Sequence, residues 1–280
     1  MAIPSAAAAS PTDRVSPLVP LIDEGGREPV FCVHPINGEV GFMSDLFDMA
    51  ELDRPVFGLR APGMDGEREP FRTFSGLADH YLHAVRSVQP EGPYYLAGYC
   101  LGGDVAYEMA AKLRAQGDRV SFVGVFDPAV RDYSARDYDD NALRQYRLND
   151  LLDVCRESGR DLGELDVSTD TGKAELVRTL RELGRLRSSD QVRQLDWRVE
   201  VWVANMRGML AYAKPELDVT VDIFVSDEDL VRVAVESDDR FHAPVRVHNF
   251  SGDHDFLFES RHLASVLHDS MDDRTHDAKG

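Results

Sequence analysis

At 280 residues, with 43% hydrophobic and 29% charged side chains, the chain is long enough to bury a full core and has the composition of a globular protein. Its 31 Lys plus Arg against 50 Asp plus Glu leave a formal net charge of -19, a field that repels phosphate backbones and excludes nucleic acid as a partner. No apolar run approaches the roughly 20 residues of a membrane span, so no membrane partner is expected. Three cysteines, at 32, 100 and 155, make no disulfide framework, and a reducing, cytoplasmic setting fits them.

Residues 1–15 are rich in Ala and Ser without a basic n-region, and read as a disordered leader or linker. Ser16 to Glu28 is a turn-rich approach to a short apolar strand, Pro29 to Val33, which runs into the polar loop His34-Pro35-Ile36-Asn37-Gly38. A helix over Glu39 to Met49 and a strand at Pro55 to Leu59 follow. Ser75 to Val88 is periodic, with Leu77, Tyr81, Leu82 and Val85 on one helical face. On that helix Asp79, His80 and His83 have no metal-site spacing and read as a solvated face, so no metal is expected.

Tyr94 to Ala97 is apolar, Asp104 to Gln116 is helix-patterned, and Val120 to Phe126 is another buried strand. This alternation predicts an α/β fold with a mainly parallel central sheet flanked by helices. It breaks over residues 131–215, where Leu143 to Cys155, Ala174 to Leu186 and Asp196 to Ala213 are helical and no strand is evident. Such an all-helical insertion behind a sheet strand reads as a lid. Strands resume at Val219 to Val225 and Val245 to Phe250, with the acidic Asp227 to His242 between them. Phe256 to Met271 closes the domain, taken as 16–271, and 272–280 reads as a flexible tail.

Between the strand at 94–97 and its helix lies Gly98-Tyr99-Cys100-Leu101-Gly102, a G-x-nucleophile-x-G run in strand–turn–helix context. The flanking glycines let two backbones pass closely around a strained residue, which makes Cys100 the expected nucleophile. A helix N-terminus behind it is expected to favour the thiolate. The nucleophile needs a base and an orienting acid. His254, in the loop after the last strand, is the expected base. Asp127, stiffened by Pro128 at the end of its strand, is favoured as the acid, with Asp227 or Asp229 as the other placement. The backbone N–H of Leu101 and that of Ile36 are the expected oxyanion donors. His34 is expected to shape its loop, and Cys32 and Cys155 to serve as packing.

Taken together, Pro17 to Leu21, Val30 to Pro35, Gly58 to Gly63, Gly98 to Gly103, Phe126-Asp127-Pro128 and Gly252-Asp253-His254 resemble the thioesterase domains of nonribosomal peptide and polyketide synthetases. The resemblance covers most of Ser16 to Leu267 and is weakest in the helical insertion. It implies an α/β-hydrolase fold and a Cys-His-Asp triad in which Asp127 is the acid. It also implies an acyl chain presented on the phosphopantetheine arm of an acyl or peptidyl carrier protein, with no bound cofactor. The departure is Cys100, where most members carry Ser. A thioester on Cys100 keeps its activation and prefers amines to water, so release by cyclisation or aminolysis is expected beside hydrolysis. An acyl or aminoacyl shuttle between carriers, or a non-catalytic or editing module, are the other readings. Arg178, Arg181, Arg185 and Arg187 offer either a basic docking face or simply a solvated one.

Overall fold

The computed structural model describes residues 16–128, 137–160, 162, 165–184, 195–225, 242–250 and 259–277. Seven strands form one sheet: β1 (Leu18–Ile22), β2 (Val30–Val33), β3 (Val56–Leu59), β4 (Tyr94–Tyr99), β5 (Val120–Phe126), β6 (Val221–Val225) and β7 (Val245–Asn249). Their order is β1-β3-β2-β4-β5-β6-β7, with β1 antiparallel to β3 and every other pair parallel. This is the mainly parallel α/β sheet that the alternation predicts. Its first strand is a correction, since Leu18–Ile22 pairs with β3 where a turn-rich approach was expected. Pro20 within it is tolerated because an edge strand can lack one ladder donor, and the register shifts between Pro20 and Ile22.

Helices α1 (Ser44–Met49), α2 (Phe74–Val88), α3 (Leu101–Ala115) and α7 (Arg261–Asp277) cover the two faces. Alternate side chains of β4 divide between them, as a period of two requires. Tyr94 and Leu96 join α2 and α3 in one apolar cluster, while Tyr95, Ala97 and Tyr99 join Leu46 and Phe47 of α1 and Leu263 and Leu267 of α7 in the other. Each fully buried Leu or Phe in these layers contributes about 2–3 kcal/mol. The helix α7 continues past Met271, the boundary expected from composition.

Helices α4 (Asp140–Glu157), α5 (Asp170–Glu182) and α6 (Leu195–Ala211) lie between β5 and β6 in sequence. They have a core of their own, with Leu143, Leu148, Leu152 and Cys155 from α4, Leu176 and Leu180 from α5, and Val199, Trp202 and Val203 from α6. Helices α4 and α5 begin a few residues before their apolar stripes, because Asp139 and Thr169 accept from the amides of Ala142 and Gly172 and satisfy the first turns.

Candidate active site

The parallel strands carry their C-terminal ends to one edge, and β4 with β5 form its centre. Cys100 follows β4 at φ 55 and ψ -122, a left-handed conformation rare outside glycine, and α3 begins at the next residue. The turn is possible because its neighbours lack side chains. A Cβ on Gly98 would lie 2.1 Å from the carbonyl oxygen of Gly102, and one on Gly102 would lie 2.5 Å from the carbonyl oxygens of Val33 and His34. The amide of Cys100 donates to the Phe126 carbonyl at 2.9 Å, and the amide of Asp127 donates to the Phe224 carbonyl at 2.8 Å. Thus the ladder runs one step beyond the strands, with Tyr99 paired to Phe126 and Cys100 brought beside Asp127.

Asp127 is buried and also has a positive φ, of 37°. Burial is the largest influence on the Cys100 thiol, and the charges of Asp104, in the first turn of α3, and of Asp127 also raise its pKa. The amide of Leu101 donates to the sulfur and lowers it. Burial outweighs the amide and pushes Cys100 up to about 11, against the expectation that the helix end would favour the thiolate. Removing the half-buried sulfur from water disfavours a negative charge more than one helix terminus can restore.

His34 is fully buried, donates from Nδ1 to the Pro35 carbonyl at 2.6 Å, and meets the edge of Tyr81 at 6.0 Å. Burial lowers its pKa to about 4, so it is a neutral, loop-shaping ring. Ile36 follows in that loop, which passes against the first turn of α3 through the close approach of Gly102 to His34. Cys32 and Cys155 are buried packing residues. His80 stacks on Phe71, and Asp79 pairs with Lys112 at 2.8 Å. Arg178 is held by Glu175 and Glu182 on its own helix, which takes it out of a free basic face, whereas Arg181 is exposed. His254, Asp227, Asp229, Arg185 and Arg187 lie outside the described residues.

Two features were not found from sequence. Lys214 forms a buried ion pair with Asp104, and Asn205 of α6 donates to the carbonyl of Ile36 at 3.0 Å. Each joins positions more than a hundred residues apart in the chain, and no local pattern signals such a contact.

Residues 28–271 match the family described as Thioesterase domain. The chain belongs to that family. Among curated proteins, this thioesterase is 40% identical over 146 residues to the nonribosomal peptide synthetase pngA of Aspergillus terreus, a match covering 51% of this chain and 15% of that protein. It is 44% identical over 112 residues to the aspulvinone E synthetase melA of Aspergillus terreus, covering 40% and 12%. A dimodular nonribosomal peptide synthase of Bacillus subtilis is 39% identical over 110 residues, covering 39% and 5%. The matches thus span a small part of each synthetase. Among solved structures, the NocB thioesterase domain in covalent complex with a fluorophosphonate nocardicin G analog is 26% identical with a TM-score of 0.60, covering 92% of this chain and 99% of that one. The four-domain synthetase AB3403 shares the fold at a TM-score of 0.71 and 19% identity, covering 92% and 20%. The fold is that of α/β-hydrolase thioesterases, with a mostly parallel seven-stranded sheet and flanking helices. Among the described residues no helix is long and apolar enough to cross a membrane.

Proposed function

We propose that this thioesterase takes a peptidyl or polyketide acyl chain from the phosphopantetheine arm of a carrier protein onto Cys100, and passes it to an amine or an internal nucleophile in preference to water. The observation that carries the reading is the placement of Cys100 on a strained turn at the sheet edge, with the Leu101 amide on its sulfur and Asp127 beside it. The synthetase relatives, in which a matching region is one small part, support a substrate that arrives tethered.

In the proposed sequence, Cys100 rests as a thiol and His254 takes its proton as sulfur attacks the thioester carbonyl. The Leu101 and Ile36 amides meet the oxygen as it becomes negative. The carbon–sulfur bond to pantetheine then breaks, and that thiol leaves with the proton held by His254. Asp127 orients the imidazole and stabilises its positive charge. The same base next deprotonates the incoming amine or hydroxyl, and Cys100 leaves with a proton. The exchange of one thioester for another is close to neutral in energy, so the second step keeps its driving force. The helices between β5 and β6 serve as the substrate cover, their core lying next to the Ile36 loop.

The test is intact-protein mass spectrometry after mixing with a panel of acyl-pantetheine thioesters, with product analysis in parallel. The wild type is expected to gain an acyl mass that Cys100→Ala does not, and to yield amide or ring products. Cys100→Ser should shift products toward free acid. Rapid hydrolysis to free acid alone by the wild type rules out transfer, and product formation that survives Cys100→Ala rules out the acyl-enzyme. A second, empty carrier in the mixture reports transfer between carriers.

A further inference from the structure

Helix α6 holds the loop after β2 at three points along one stripe. The Nδ2 of Asn205 donates to the Ile36 carbonyl at 3.0 Å, the guanidinium of Arg198 pairs with Glu39, and the Cγ1 of Val201 would lie 3.1 Å from a Cβ placed on Gly38. Positions 198, 201 and 205 are three and four residues apart and therefore share a helical face. Asn205 is only 3% exposed and sits in an otherwise apolar run, next to Val203, Ala204 and Met206. A buried amide is costly unless it is matched, and this one is matched by a main-chain carbonyl beside the proposed reacting centre. The Ile36 side chain is wedged between the sheet core and the core of the helical insertion, so its peptide lies where the two bodies meet.

We propose that Asn205 is a positioning residue for the oxyanion loop: its bond to the Ile36 carbonyl holds the Ile36–Asn37 peptide, while His34 Nδ1 and the Gly38 amide hold the Pro35 carbonyl of the peptide that carries the Ile36 N–H, and together they keep that N–H aimed at the developing negative oxygen. The inference rests on the reading in which the Ile36 amide is the second oxyanion donor. The loop's own hydrogen bonds, to the Pro35 carbonyl from His34 Nδ1 at 2.6 Å and from the Gly38 amide at 2.9 Å, and from the Glu39 amide to Asn37 Oδ1 at 3.0 Å, bracket Ile36 without holding its carbonyl. The contact also ties the substrate cover to the reacting centre, because a shift of α6 moves the Ile36 peptide.

The experiment compares two rates on the full chain. Acylation of Cys100 by an acyl-pantetheine thioester passes through an oxyanion, whereas alkylation of the same sulfur by iodoacetamide does not. Asn205→Ala and the volume-preserving Asn205→Asp are expected to slow single-turnover acylation by about 10- to 100-fold, below the full loss of an oxyanion donor, which is roughly 100- to 1,000-fold. Iodoacetamide labelling should stay within about twofold of wild type, and KM for the thioester should hold while kcat falls. Thermal unfolding identifies which of the two variants is folded, and the folded one is read. Acylation at the wild-type rate, or an equal loss in both reactions, overturns the proposal. A wild type that takes no acyl group on Cys100 overturns the parent reading and this one with it, whereas an acylating wild type matched by its variants overturns this one alone.

Discussion

The ammonium of Lys214 lies 2.5 Å from the carboxylate of Asp104, and the two side chains are 4% and 8% exposed. Asp104 is in the first turn of the helix that Cys100 precedes, and its charge raises the thiol's pKa. Lys214 offsets that charge, and its ammonium also faces the rings of Tyr107 and Tyr212. Removing one partner takes the nearest opposite charge away from a buried ion, at a cost of up to about 3–5 kcal/mol. Lys214→Met should therefore destabilise and slow alkylation of Cys100, by removing the ammonium that offsets the charge of Asp104. Asp104→Asn should destabilise but speed alkylation. The double substitution should be less destabilised than either single one, and urea unfolding of the four proteins measures that coupling.

The resting state of Cys100 gives a second prediction. With the thiol pushed up from 9.0 to about 11 by burial, iodoacetamide labelling should rise about tenfold for each pH unit from 7 to 9. A plateau already reached below pH 7 would mean a resting thiolate–imidazolium pair. Cys32 and Cys155 are buried and do not compete for the reagent. The sign for stability is fixed by the same shift. The fold favours the protonated sulfur, so this contribution is intact below about pH 9 and is lost as pH rises through about 11.

At His34 the sign is reversed. Its folded pKa is lowered from 6.5 to about 4, so between those values the unfolded chain takes up the proton first. Wild-type stability should fall as pH drops through that window, by up to about 1.4 kcal/mol for each unit from this group. His34→Asn keeps a donor near the Pro35 carbonyl and removes the titration. Its urea midpoint at pH 5 relative to pH 7 should decline less than that of the wild type, and an equal decline removes His34 from the account.

Much of this architecture was legible because the chemistry demands particular residues at short range. The glycines on either side of Cys100 are required by backbone atoms that nearly touch, and the strand before it and the helix after it are locally patterned. The helical periodicity alone begins only at Asp104, since Gly102 and Gly103 look unhelical, whereas the helix start at Leu101 follows from the turn around Cys100. Both glycines are needed there for close packing, Gly103 against Val125. The edge strand β1 was obscured by Pro20 and by a pattern that is half-buried on both faces, although an edge is where a proline can sit. The depressed thiolate expected at Cys100 followed from one helix terminus, and the burial that outweighs it is a property of the assembled fold. The pairs Asp104–Lys214 and Ile36–Asn205 could not be read locally, because each is made only when the segment after β5 returns to the sheet edge.

The close approach of α3 to the end of β2 gives the last prediction. A methyl group on Gly102 would lie 2.5 Å from the carbonyl oxygens of both Val33 and His34. Neither oxygen can retreat freely, because the His34 amide is bound to the Leu59 carbonyl at 3.2 Å and β2 is paired with strands on both sides. The helix start must move instead, and with it the Cys100 amide bond to Phe126 and the Leu101 amide at the sulfur. Overpacking of this kind costs about 1–3 kcal/mol or more, and here the displaced atoms belong to the site. Gly117 makes a useful contrast, since it has φ +85 but open space around it, and Gly117→Ala should cost about 1 kcal/mol with acylation unchanged. Gly102→Ala should lose more stability than Gly117→Ala and should also lose acylation at Cys100, as measured by chemical unfolding together with intact mass after acyl-pantetheine treatment. Equal stabilities and equal acyl loading in the two variants would show that the approach of Gly102 to His34 is not what holds the nucleophile in place.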